Sequence, residues 1–77
     1  MGRSLRGYVG RALVVTLTDG TVMVGDLAAA DADTVTLTRA AVHAGPDPAD
    51  RAPLAGRLII PTLSMAYAQV LPDGTPA

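Results

Sequence analysis

Seventy-seven residues make one small domain, and a chain this short buries only about 60% of the surface that its unfolded form exposes, so assembly is a natural source of extra stability. The 49% apolar content comes from Ala, Val, Leu, Ile and Met with two tyrosines, and the chain holds neither Phe nor Trp. Six arginines against seven aspartates, with no Lys, Glu or Cys, exclude a broad basic field for duplex DNA, a disulfide scaffold and a thiolate metal site.

The missing Lys, Glu, Asn and Cys, beside abundant Ala, Gly, Asp and Arg, match the coding bias of a GC-rich genome. No apolar run approaches the roughly 18–20 residues that cross a membrane. The apolar segment over residues 12–17 is too short for a signal-peptide core. A cytoplasmic protein with no membrane partner is expected.

From residue 12 to 18, Leu13, Val15 and Leu17 alternate with Ala12, Val14, Thr16 and Thr18, which predicts a strand with one strongly apolar face. Asp19-Gly20 supplies a turn. In the following strand Met23, Gly25 and Leu27 share a face, and a glycine inside such a run predicts a bulge, a bend or close approach by a neighbouring strand. After a turn near Asp31 and Asp33, Val35 and Leu37 carry the apolar face of a third strand, completing an antiparallel meander.

Residues 43–56 hold Pro46, Pro48 and Pro53 among glycines and aspartates, a composition that predicts a long surface loop. Residues 57–60 form a short strand with Leu58 and Ile60 facing together, and Pro61 ends it. Thr62-Leu63-Ser64 makes a tight connection to a final strand over residues 65–71, and residues 72–77 form a frayed tail beyond a single domain spanning residues 1–71.

This pattern resembles the Sm and Sm-like (LSm) family of all-β, small, strongly bent, five-stranded SH3-like barrels, which assemble into rings. The likeness lies in Val14-Val15-Thr16-Leu17, Asp19-Gly20, then Met23, Gly25 and Leu27, continuing through Asp31, Val35 and Leu37. Gly56-Arg57-Leu58-Ile59-Ile60 resembles the opening strand of the family's second motif, and Met65-Ala66-Tyr67-Ala68 its final strand. Residues 5–9 occupy the place of the family's short N-terminal helix. Two departures bear on function. The Asp31-Ala32-Asp33-Thr34 loop is one residue shorter than the family's and lacks its asparagine, and Pro61-Thr62 replaces the Arg-Gly signature, removing a permanently charged planar donor.

The resemblance implies a homo-oligomeric ring with single-stranded RNA as partner, and residue chemistry makes Tyr8, Asp31, Arg39 and Arg57 the candidate contacts for RNA or a protein partner. Tyrosine can stack on a base, arginine can reach a phosphate, and Asp31 can accept a hydrogen bond from a base. The bland counterpart of each is a solvated turn or a surface ion pair. The final strand is apolar on both faces, with Met65 and Tyr67 on one and Ala66, Ala68 and Val70 on the other, which suits an oligomer interface built from Leu58, Ile60, Met65, Tyr67 and Val70. His43 stands alone without metal-ligand spacing, and no acid–base pair or phosphate-cradling glycine motif occurs, so neither a catalyst, a cofactor nor a metal is expected. The alternative is a protein-assembly adaptor, of the kind a phage or GC-rich bacterium encodes, that lacks RNA recognition.

Overall fold

The apolar alternation is realised as a six-stranded antiparallel sheet in a computed structural model that describes residues 5–43 and 50–72. Its strands are β1 (Ala12–Leu17), β2 (Val22–Ala30), β3 (Thr34–His43), β4 (Arg51–Pro53), β5 (Arg57–Pro61) and β6 (Met65–Val70). They lie in the order β4-β3-β2-β1-β6, and β5 shares the outer edge of β3 with β4. No α-helix occurs among the described residues.

The β1–β2 connection is the turn that Asp19-Gly20 predicts. Gly20 takes φ +92°, a left-handed conformation that costs a residue without Cβ little, and the Asp19 carboxylate accepts the Thr21 N–H at 2.9 Å. Asp31 organises the β2–β3 turn in the same way, its Oδ1 accepting the N–H groups of Asp33 and Thr34, each at 2.8 Å.

Two bulges bend the β2–β3 ladder. In β3, Arg39 and Ala40 together oppose Gly25, with Arg39 at φ +51°. A Cβ on Gly25 would lie 3.2 Å from the Cα and Cβ of Ala40 and from the Cβ of Leu37, so the glycine is what lets β3 fold over β2. Three residues later the surplus moves to β2, where Ala28 has no counterpart between Leu37 and Thr36. The bends wrap the sheet around Leu13, Val15, Met23, Leu27, Val35, Leu37, Ala40 and Ile60, each of them buried.

Four features differ from the sequence reading. The sheet has six strands rather than five, because Arg51–Pro53 pairs with the C-terminal end of β3 inside the segment read as loop. His43 closes β3, while residues 44–49 of that loop lie outside the described residues, as do residues 73–77 of the tail. In place of an N-terminal helix, Leu5–Tyr8 makes one 3₁₀ turn. A bulge at Ala66 reverses the parity of β6, so that Met65, Ala68 and Val70 pack on the core while Tyr67 faces away from it.

The sheet does not close on itself, and chain direction explains why. β1 and β3 run the same way, so their antiparallel partners β6 and β5 run parallel to each other. Parallel neighbours need a crossover of about a dozen residues. Only the three-residue 3₁₀ turn Thr62–Ser64 joins these two, which sets them end to end and leaves each with one edge unpaired among the described residues.

Candidate functional site

The β5–β6 corner is the part of the surface with the least internal use. Ile59 (63% exposed), Leu63 (95%) and Tyr67 (65%) are the large apolar side chains it presents to solvent, one on each strand and one on the turn between them. Backbone bonds fix the corner in place. The Thr62 N–H donates to Asp33 O at 2.8 Å, the Thr62 hydroxyl donates to Ala32 O at 3.0 Å, and the Thr18 N–H donates to Ser64 O at 2.9 Å. The exposed Leu63 is therefore held on a braced turn beside the Asp31–Asp33 loop.

Hydrogen-bond parity defines what the two edges offer. In an antiparallel ladder, residues alternate between pointing their N–H and C=O at one neighbour and at the other. The Thr62–Asp33 bond, with Ile60 opposite Val35 and Leu58 opposite Leu37, gives Leu58 and Ile60 to β3. Arg57, Ile59 and Pro61 then point their backbone groups outward from the sheet edge. Pro61, which has no N–H, occupies a position where the ladder with β3 does not need one. On β6 the Leu71 N–H donates to Ala12 O at 2.9 Å, so Gln69 and Tyr67 bond to β1 while Ala68 and Val70 point to the free edge.

The residues read as RNA contacts do not converge. Asp31 spends one oxygen on its own turn, and the Thr34 and Asp33 N–H groups, with a smaller contribution from the Arg6 cation, hold its carboxyl below the usual carboxylate range. Arg39 donates its Nε to Asp26 Oδ2 at 2.7 Å and pairs with the same oxygen through Nη2. Arg57 is exposed at the start of β5 opposite Thr38, beside the Arg39 bulge. Asp31 lies past the other end of that ladder, roughly 13 Å or more along the strand. Tyr8 is exposed on the N-terminal 3₁₀ turn.

Of the residues read as interface, Tyr67 is open to solvent, while Leu58, Met65 and Val70 are half-buried against the core. Ile60 is only 3% exposed and belongs to the core itself. The sequence reading missed Ile59 and Leu63. Alternation could have found Ile59, since it must face opposite Leu58 and Ile60, whereas the exposure of Leu63 depends on the 3₁₀ turn. Among the described residues no group of His and Asp side chains gathers to hold a metal, and no helix is long and apolar enough to cross a membrane. No protein-family model matches the chain, and a search of curated proteins finds no relative.

Proposed function

We propose that the chain is a non-catalytic, Sm-like scaffold subunit of the cytoplasm that assembles with copies of itself through the edges of β5 and β6. The observation that carries this reading is the β5–β6 corner, where two edges unpaired among the described residues, which the short turn cannot join to each other, lie with exposed Ile59, Leu63 and Tyr67. Backbone groups and apolar surface left open in this way favour strand addition by another chain. Support for the Sm-like barrel comes from the strong bend at Gly25 and from the last strand returning to pair with the first.

Within this reading the scaffold role is favoured over a base-specific pocket. The Asp31 carboxylate is committed to its turn, Arg39 to Asp26, and the corner where the family carries an arginine presents Pro61, Thr62 and exposed Leu63. Exposed Tyr8 and Arg57 are the remaining candidates for stacking and phosphate contact, and each copy in an oligomer would repeat them. Native mass measurement of the intact chain, alone and with short A-rich or U-rich RNAs, tests both levels. A homo-oligomer is expected. Salt-sensitive retention of RNA would make the assembly an RNA platform, absence of RNA would make it a protein-assembly adaptor, and a monomer would overturn the proposal.

A further inference from the structure

Apart from the two edges, we infer that the outer face of the β3–β5 ladder docks on the same face of a second copy. The two are related by a two-fold axis that crosses the strands at Thr36 and Ile59, which sets the basic end of each ladder on the acidic end of the other.

The face follows from register. Opposed residues of an antiparallel pair carry their side chains on one face. Val35, Leu37, Leu58 and Ile60 turn inward, so Thr34, Thr36 and Thr38 of β3 share the outer face with Pro61, Ile59 and Arg57 of β5. The Thr36–Ile59 pair is the middle one of the five, and β2 extends its row with exposed Ala29. Ile59, 63% exposed, thus stands beside small neighbours at the centre of the face.

Charge divides the two ends. At one, Thr38 lies between Arg57 and Asp26, and the bulge brings Arg39 onto Asp26, so two guanidiniums stand against one carboxylate. At the other, the Thr34 hydroxyl donates to Asp31 Oδ1 at 3.4 Å, which places that carboxylate against the outer face, and exposed Asp33 follows in the same turn. Arg6 joins them through Ala30 O, so here, among the described residues, two carboxylates stand against one guanidinium. The face is therefore basic, apolar and acidic in turn along about 17 Å of ladder.

That order is its own complement. Sheets packed face to face lie about 10 Å apart with strands within about 30° of each other. A two-fold axis along the strands would lay Arg57 and Arg39 over their own copies, like charge on like. An axis across the strands reverses the neighbour's chain direction instead. Arg57 and Arg39 then reach the acidic turn that holds the partner's Asp33 and Asp31, and Ile59 packs on the partner's Ile59, with room left by Thr36 and Ala29. A net charge of -1 per chain adds little repulsion. Three strands span about 14 Å with their edges. A face of that size falls short of the roughly 800 Å² that each partner buries in a standard interface, so this association is concentration-dependent.

Sedimentation of the intact chain over a concentration series tests the pairing. The wild type is expected to show an association step that fades as salt is raised. Arg57→Asp and Asp33→Arg, both at exposed positions and expected to keep the far-UV circular dichroism of the wild type, each lose that step, because their facing ends then match in sign. An equimolar mixture of the two variants regains it, since in a mixed pair these positions again meet their opposites. Pairing of β5 with β6 at the edges does not oppose residues 57 and 33, so recovery in the mixture reports the face alone. If either variant associates as the wild type does, or the mixture fails to recover, the face pairing is overturned and the edge reading stands. A wild type that stays monomeric at every concentration overturns both.

Discussion

At Gly25 a single hydrogen decides how tightly β3 can fold over β2. A methyl group there would meet Ala40, whose Cα belongs to the backbone of the bulge, and the Leu37 Cβ, both 3.2 Å away, so the neighbours have little freedom to yield. Gly25→Ala is expected to destabilise the fold by about 1–3 kcal/mol, the range for an overpacked core, as read from the urea midpoint. Asp31 acts through charge instead. Its carboxyl is held below the ordinary value of 3.8 by backbone N–H donors. A folded-state value below the unfolded one contributes stability that is present above the unfolded value and lost as pH falls through the folded one. Asp31→Ala is therefore expected to lower the melting temperature at neutral pH and to narrow its gap from the wild type below about pH 4, measured as melting temperature against pH.

At the scale of the strands, the two edges of β5 respond differently to the same substitution. Ile59 points its N–H away from β3, so Ile59→Pro removes no bond of the ladder, and its far-UV circular dichroism is expected to match the wild type while its native mass falls to that of a monomer. Ile60 donates to β3 and fills the core, and Ile60→Pro is expected to unfold the chain in the same measurement. The strands themselves were legible from alternation: Leu13, Val15, Met23, Leu27, Val35, Leu37 and Ile60 all face the core as period-two spacing requires. The bulges were not. Ala28 and Ala66 carry no signal that distinguishes them from regular strand residues, and the left-handed position in β3 holds Arg39 where a glycine would have announced it. The bulge at Ala66 is why Tyr67 was assigned to the face of Met65, and the proline-rich composition around Arg51–Pro53 masked a strand that needs only an outer edge.

For the whole molecule, a sheet curled around a core of aliphatic side chains, with no Phe or Trp to enlarge it, gains from any partner that covers its seam. The candidate site was legible to the same limited depth. Composition and the apolar final strand suggest self-association, which stays a proposal, and which side chains are exposed depends on hydrogen-bond parity and on the braced turn at Thr62, neither of which is a property of residue type. The short link between β5 and β6 also gives the molecule a polarity. Because it keeps the two edges apart and unlike, under the proposed assembly each copy would be a donor at one side and an acceptor at the other, and a pair joined once would still display one bare edge of each kind. Under the proposed assembly that contact would join copies head to tail. They would add in one direction until the turn per copy brings the last edge back to the first as a ring, or continue as a filament if it does not.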